Sequence, residues 1–410
     1  TLDNILEKNE ILKGQMKGNF NAHVFLDHPL SSKFQGELQA KNLIFSEKTI
    51  PSFVINDLSL TAKKDIVQVD SAILEYADNL FDLKGKLNLS AAVPKVNMRL
   101  YSNALSLDPL KQALDKNIKN TEHQSAEKSW TIPVRGSLNV ITENLIYKGF
   151  TWHPFEADVR FNDKSVTASI TDANICGITT LGMMKITPKG ATIDIKPSAQ
   201  NQELNPSIQC LIDKSAKIVG DFNLKGNIKA NATVKTLMQN VNGDLTFYAP
   251  KGRCYSGRDF RTLIKIFSLL NVTDIFKGKL PDIKTKGFAY DSVRAKADIQ
   301  NSKIVLKEMI VDGNSMNIVC QGYVDLANKQ MDVTALIAPL KTIDYFIKKT
   351  PIIRDILGGS LISIPVGIKG PIDNPNVTPI PPSAVGSGLL GIVKRTLQLP
   401  VKIIQPVSPK

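Results

Sequence analysis

From Gly220 to Lys235 the sequence alternates without a break between apolar and polar residues. The even positions carry, in order, Gly220, Phe222, Leu224, Gly226, Ile228, Ala230, Ala232 and Val234. Because successive side chains of a β-strand point to opposite faces of a sheet, this stretch predicts a strand with one apolar and one polar face. A continuous strand of this length would span roughly 50 Å, so we expect a kink or a turn at Gly226.

The same alternation recurs along the chain. Residues 81–90 and 293–300 repeat it, and shorter copies begin at Gly36, Gly85 and Gly136. Turn-forming residues separate these stretches, which is typical of an all-β protein and argues against a doubly wound α/β fold. We therefore predict a mainly β protein made of amphipathic strands, and the functional question becomes what covers their apolar faces.

The charge of the chain limits its partners. A net charge of +13 and a pI near 9.4 favour nucleic acid or an acidic lipid surface, although a solvated basic surface is the simpler interpretation. Arginine and aromatic residues do not interleave in any run typical of a nucleic-acid module, so we predict no nucleic-acid partner. No apolar run reaches the roughly 18 residues of a membrane span. The sequence opens at Thr1 without a signal sequence, so we expect any N-terminal anchor to lie outside this numbering.

The sequence contains few candidates for catalytic or metal-binding residues. The four cysteines lack CxxC spacing, which argues against a zinc site. Cys176 and Cys210 can form a disulfide in an oxidising compartment, but ordinary buried thiols are an open alternative. The histidines are scattered, and the sequence has no nucleophile elbow, phosphate-binding loop or dinucleotide fingerprint. We predict no enzymatic activity, no cofactor and no metal.

Changes of pattern divide the chain into five segments. These are a β-sheet segment (1–107), a polar linker or short helix (108–129), a second β-sheet segment (130–240), a C-terminal domain (241–382) and a basic amphipathic tail (383–410). Residues 261–277 and 342–357 predict two short amphipathic helices in the C-terminal domain, either packed on the sheet or capping an apolar channel.

The tail predicts a third short helix, and two positions for it are open. It lies on a membrane surface, or it docks on its own domain. The residues proposed for membrane contact are Leu389, Leu390, Ile392, Val393, Lys394, Arg395 and Leu397.

An ordered set of short motifs covers the C-terminal 170 residues. The set comprises a strand at 243–248, a following helix that ends at Leu270-Asn271, the loop 287–293, the segment 315–318 before the strand 322–326, Ile364-Pro365-Val366, and the run 370–375. In this order the motifs resemble the AsmA-like family of bacterial envelope proteins, which includes TamB- and YhdP-type members. The first 240 residues are similar to the family only in style, through their repeated amphipathic strands.

The resemblance implies an elongated, curled antiparallel sheet whose apolar face forms a groove, in a periplasmic protein anchored to the inner membrane of a diderm bacterium. It implies a bridge between the two membranes that carries phospholipid acyl chains. The residues read from the strand pattern as groove lining are Phe81, Leu83, Leu87, Leu89, Leu138, Val140, Phe222, Leu224, Ile228, Ala230 and Val234. An apolar wall without directed hydrogen bonds suits acyl chains, and the basic tail suits anionic head groups.

Three functions therefore compete. The first is a lipid conduit whose partners are phospholipids, the inner or outer membrane surface, and other envelope proteins. The second is a non-enzymatic outer-membrane assembly or scaffold protein that acts through an open strand edge. The third is a closed structural domain that buries all its apolar faces.

Overall fold

The computed structural model describes thirteen stretches of the chain. They are residues 13–23, 33–47, 50–91, 93–112, 132, 134–212, 214–256, 287–314, 316–325, 328–339, 361–372, 374–397 and 401–403. The chain forms two compact units: unit 1 comprises Thr1–Ile175 and Thr179–Asp194, and unit 2 comprises Cys176–Ile178 and Ile195–Lys410. The five predicted segments do not coincide with these units and stay a prediction.

Unit 1 is a sheet of strands that pair mostly in chain order. Its strands are β1 (Lys13–His23), β2 (Lys33–Glu47), β3 (Ile50–Lys64), β4 (Ile66–Tyr76), β5 (Asn79–Asn88), β6 (Lys95–Ser106), β7 (Arg135–Tyr147), β8 (Phe150–Trp152), β9 (Phe155–Asn162), β10 (Ser165–Ile175) and most of β11 (Ile178–Thr187). β1 to β6 form successive antiparallel pairs. β7 pairs antiparallel with β8 and β9, and β9 pairs antiparallel with β10.

Tight turns explain this serial pairing. Ala77 and Asp78, between β4 and β5, both have positive φ angles (47° and 62°), and Lys148 and Gly149, between β7 and β8, do so as well (50° and 81°). Two-residue loops with positive φ at both positions twist in the same sense as the strands they join. Neighbours in sequence therefore become neighbours in the sheet.

One pair in unit 1 is parallel. β6 and β7 run in the same direction, with Lys95 opposite Arg135 and Ser106 opposite Ile146. Parallel neighbours need a long crossover connection, and the segment between these two strands supplies it. Residues 107–112 of this segment are helical, and most of the predicted linker 108–129 lies outside the described residues. The antiparallel pairing predicted for the sheet therefore has an exception at this position.

Unit 2 continues the same style of pairing. β12 (Gly190–Glu203) contains the boundary between the units and leads into unit 2. There follow α1 (Leu204–Leu211), β13 (Lys217–Val219), β14 (Asp221–Ala232), β15 (Val241–Ser256), β16 (Phe288–Gln300), β17 (Lys303–Gly313), β18 (Met316–Asp325), β19 (Gln330–Pro339), β20 (Leu361–Pro371), β21 (Asn376–Pro379), α2 (Ser387–Leu397) and β22 (Val401–Ile403). Single 3-10 turns occur at Leu237–Asn240 and Pro382–Ala384.

β14 to β21 pair antiparallel in chain order. β13 adds to the end of β15, and β22 lies parallel to β20. The prediction of a mainly β fold with few short helices is confirmed, and α2 is one of those helices near the C-terminus. The helices predicted at 261–277 and 342–357 lie outside the described residues.

The kink expected at Gly226 is wrong. β14 is continuous from Asp221 to Ala232, and its register with β15 is unbroken. A Cβ atom at Gly226 would lie 2.5 Å from Leu245 Cδ2 and 2.8 Å from the Asp244 carbonyl oxygen. The glycine is therefore explained by the close approach of β15 to β14, which a single strand read alone does not reveal.

Candidate functional site: the apolar sheet faces

The register of unit 1 aligns apolar residues into rows that cross nine strands. Residues directly opposite each other in neighbouring strands share a face of the sheet. The first row is Met16, Ala40, Leu58, Ala72, Leu83, Leu100, Val140, Ala157 and Ile170. The second is Gly18, Leu38, Leu60, Val69, Gly85, Met98, Leu138, Val159 and Ala168. The third is Phe20, Gly36, Ala62, Val67, Leu87, Val96, Gly136, Phe161 and Val166.

We call these three rows the unit 1 apolar face. No row contains a polar side chain from β1 to β10. At a strand spacing of about 4.8 Å, nine strands give a face about 38 Å across, and three rows cover about 13 Å along the strands. Most of its large side chains, including Leu83, Leu100, Leu138 and Val140, are only half-buried. A contiguous, partly exposed apolar surface of this size is unusual on a protein that has no partner for it.

The opposite side of unit 1 is polar in the same register. One row there is Asn19, Glu37, Thr61, Gln68, Lys86, Asn97, Ser137, Arg160 and Thr167. Hydrogen bonds between strands occur on this side, such as Asn139 Nδ2 donating to Asp158 Oδ1 at 2.9 Å. The sheet of unit 1 therefore has one polar face and one apolar face.

Unit 2 repeats the arrangement over eight strands. One apolar row is Leu224, Phe247, Ala295, Met309, Cys320, Ala335, Val366 and Pro379. The next is Gly226, Leu245, Ala297, Leu306, Gly322, Val333, Ile368 and Val377. A third is Ile228, Gly243, Ile299, Ile304, Val324, Met331 and Gly370. We call these rows the unit 2 apolar face.

The unit 2 apolar face is closed at one end. Next to its first row, Ile318, Ile337 and Ile364 are at most 5% exposed and form one buried cluster with Phe222 and Phe288. Leu204 and Ile208 of helix α1 also join this cluster. At the other end, Ile228, Ile304, Val324 and Met331 are only half-buried. The face therefore grades from a packed core into a partly exposed surface.

Most of the residues predicted from sequence as groove lining lie on these faces. Leu83 and Val140 share the first row of unit 1, while Leu138 and Leu87 lie in the second and third. Phe81 is half-buried on β5, and Leu89 is buried just beyond the end of that strand. Their role as the lining of a lipid groove stays a prediction.

In unit 2 the outcome is mixed. Leu224 and Ile228 are half-buried on the apolar face, whereas Phe222 and Ala230 are fully buried. Val234 lies beyond the end of β14 and is 62% exposed. Placing Val234 on the strand was therefore wrong, because β14 ends at Ala232 and the chain turns there.

The prediction that the tail residues contact a membrane is wrong for two of them. Leu389 and Ile392 of α2 are 2% and 3% exposed and pack with Val385 against Ile310, Val319 and Leu336. These three strand residues lie on the side of the sheet opposite the unit 2 apolar face, and α2 covers them. Leu390 is half-buried beside the same cluster. The side chains of Val393, Lys394, Arg395 and Leu397 lie outside the described residues.

A disulfide joins Cys176 and Cys210, the pair named from the sequence. Cys176 lies in the turn between β10 and β11, and Cys210 lies in the last turn of α1. The other two cysteines, Cys254 and Cys320, are not part of a disulfide and lie buried among apolar residues. Burial raises the pKa of the Cys320 thiol to about 12, so it stays protonated and packs as a small apolar group.

Within the described residues, no group of histidine, cysteine and carboxylate side chains could hold a metal ion. None of the helices in the described part of the chain is both long enough and apolar enough to cross a bilayer.

Sequence reasoning missed residues that only pairing brings together. Leu58, Met98 and Leu100 complete the rows of unit 1. Their segments, 57–63 and 95–100, also alternate, but over fewer residues than 81–90. Tyr290 was also missed. It is 5% exposed within the unit 2 cluster, and its hydroxyl group has no hydrogen-bond partner among the described residues.

Comparison with known proteins addresses the C-terminal part of the chain. Residues 199–377 match the family model described as YhdP protein. Neither the curated proteins nor the solved structures contain a significant match to this chain. The matched range runs from the end of β12 into β21 and so covers the unit 2 apolar face. The resemblance to AsmA-like envelope proteins, of the YhdP type, is thereby confirmed for the C-terminal region of this chain.

Proposed function

We propose that this protein carries phospholipid acyl chains along its apolar sheet faces, in the periplasm of a diderm bacterium. The observation that carries the proposal is the unit 1 apolar face, where three rows cross nine strands without a polar side chain. The match of residues 199–377 to the YhdP family supports a place in the bacterial envelope. The proposed transfer involves no chemical step and no cofactor.

The chemistry of the face suits this cargo. Removing apolar surface from water is favourable by about 25 cal/mol per Å² and has no directional requirement. An acyl chain can therefore lie across Leu83, Leu100 and Val140 and slide between strands, because each strand offers an equivalent apolar contact. Aliphatic side chains and glycine dominate the rows, and they leave a smooth surface without hydrogen-bond partners that would hold a ligand in one place.

Two substitutions and one matched control test the proposal. Leu138→Asp and Leu83→Asp place a carboxylate in the middle of the unit 1 apolar face, whereas Asn97→Asp places one in the polar row on the opposite side. Native mass spectrometry with lipid extraction, on protein purified from cell envelopes, counts the bound phospholipids. We expect several lipids on the wild type and on Asn97→Asp, and a loss of most of them from the two leucine variants.

Circular dichroism distinguishes lost lipid from lost fold. Leu83 and Leu138 are half-buried, so a carboxylate at either position keeps contact with water, and the strands should still pair. Lipid retained by folded Leu83→Asp and Leu138→Asp proteins would contradict the proposal.

A second candidate function rests on strand β1. Its residues 14–19 are all exposed, and among the described strands β1 pairs with β2 alone. An unpaired edge of this length is a template for another strand. On this account the protein is a scaffold that captures an envelope partner by strand addition. Lys17→Pro should then abolish the complex seen by cross-linking in envelopes, while lipid content stays unchanged.

A further inference from the structure

Unit 2 contains a pocket lined by charged and apolar residues at the break between β13 and β14. Its volume is about 470 Å³. It is lined by Glu203 and Asn205 at the start of α1, by Tyr255 of β15, and by residues 217–221. We call it the α1–β13 pocket. It does not belong to the apolar rows, and neither the family match nor the proposed function assigns it a role.

Hydrogen bonds hold the walls of this pocket in place. The Leu204 N–H donates to the Gly220 carbonyl oxygen at 2.9 Å, and the Ile218 N–H donates to Asn205 Oδ1 at 3.0 Å. Both bonds join the first turn of α1 to the strand below it, and the disulfide at Cys210 fixes the last turn. The pocket is therefore preformed, which lowers the entropic cost of binding.

The charged groups of the pocket are not neutralised by the protein. Lys217, Glu203 and Asp221 are exposed and form no ion pair with any described residue. The lining thus offers one ammonium group and two carboxylates. An anionic ligand would meet a net negative site, whereas a ligand with both a phosphate and an ammonium group can pair with all three charges.

We propose that the α1–β13 pocket binds the head group of a zwitterionic, amine-bearing phospholipid. Lys217 would hold the phosphate, and Glu203 and Asp221 would hold the ammonium group. The inference rests on the proposed function, because it names the lipid class that would travel along the apolar faces. It also opposes what the overall charge of +13 suggests, namely a preference for anionic lipids.

Apolar groups beside the pocket favour a lipid over a free zwitterion. Val219 in the lining is 60% exposed. Ile218 and Phe222, on either side of Gly220, belong to the buried cluster of the unit 2 apolar face. An acyl chain attached to a bound head group would therefore find apolar surface next to the pocket.

The test compares three soluble probes by isothermal titration on the full chain. These are dihexanoyl phosphatidylethanolamine, dihexanoyl phosphatidylglycerol and O-phosphoethanolamine without acyl chains. We expect the ethanolamine lipid to bind about tenfold more tightly than the glycerol lipid, since one charge-assisted hydrogen bond is worth about that factor. Lys217→Ala should weaken the ethanolamine lipid about tenfold, whereas Lys235→Ala, an exposed lysine outside the pocket, should not. The double variant Glu203→Gln/Asp221→Asn should remove the discrimination between the two lipids.

Equal affinity for the two lipids would overturn the pocket assignment while leaving the acyl-chain proposal intact. Phosphoethanolamine that binds as tightly as its lipid would overturn the lipid assignment. Failure of both lipids, with phosphoethanolamine still bound, would overturn the lipid assignment of the pocket together with the proposed function.

Discussion

Breaking the disulfide between Cys176 and Cys210 should destabilise unit 2 by a predictable amount. The two residues are 34 positions apart in sequence. In the chain-entropy account, closing a loop of this length removes unfolded-state entropy worth about 4 kcal/mol at 25 °C. The bridge also ties α1 to the turn at Cys176, and α1 contributes Leu204 and Ile208 to the largest buried cluster. We therefore expect the loss to be a property of unit 2 and to begin at α1.

Urea unfolding measures this directly. The wild type is unfolded with and without dithiothreitol, and the Cys176→Ser/Cys210→Ser variant is treated in the same way. With a denaturant slope of about 3 kcal/mol per M, a loss of about 4 kcal/mol lowers the midpoint by about 1.3 M. Hydrogen exchange followed by mass spectrometry locates the loss, and residues 204–211 should exchange first.

The double serine variant serves as the control for other effects of the reductant. Reductant should lower the midpoint of the wild type to that of the double serine variant and leave the variant unchanged. Two results would refute the reasoning: a wild-type loss below about 1 kcal/mol, or a further fall in the variant. The first would mean that the packing of α1 alone holds this end of the face. The second would mean that reductant acts elsewhere in the protein.

Two further predictions concern other parts of unit 2. Leu389→Ala should lower the free energy of unfolding by about 2–4 kcal/mol and increase hydrogen exchange in α2, because Leu389 is 2% exposed. Leu390 is half-buried, so Leu390→Ala should lower the free energy of unfolding clearly less. The pKa of Asp325 is held below its usual 3.8 by hydrogen bonds from the Asn328 backbone N–H and side-chain amide, and further by Lys303. The stabilising contribution of the Asp325 carboxylate is therefore present above pH 3.8 and lost as the pH falls through the folded-state pKa. In urea titrations from pH 5 to pH 2, the free energy of unfolding should fall less for Asp325→Asn than for the wild type.

The sequence predicted the class of fold because alternation is a local property. Residues such as Leu83, Leu138 and Leu224 lie where a period of two places them, and turn-forming residues separate the strands. The same local information failed at Gly226 and at Val234. The glycine at position 226 is explained by the close approach of β15. At Val234 the alternation of apolar and polar residues continues beyond the end of the strand.

The candidate site could be predicted only in part. Sequence identified apolar strand positions, but an apolar row exists only once register is known. A shift of one residue in any pairing would move a whole strand to the polar face. The position of α2 was likewise open in the sequence, since an amphipathic helix has the same pattern on a membrane and on a protein. The structure shows that α2 packs on its own domain. It covers a buried patch formed by Ile310, Val319 and Leu336, which lie on strands remote in sequence from the helix.

What the sequence alone determined is the two-faced character of each strand, because side-chain direction follows from backbone geometry one residue at a time. What only the tertiary structure decided is the continuity of those faces and the grouping of Lys217, Glu203 and Asp221 around one pocket. Those residues come from different elements, and the distances between them depend on strand pairing and on the docking of α1. No local pattern encodes such distances, because they arise from contacts that the folded chain makes as a whole.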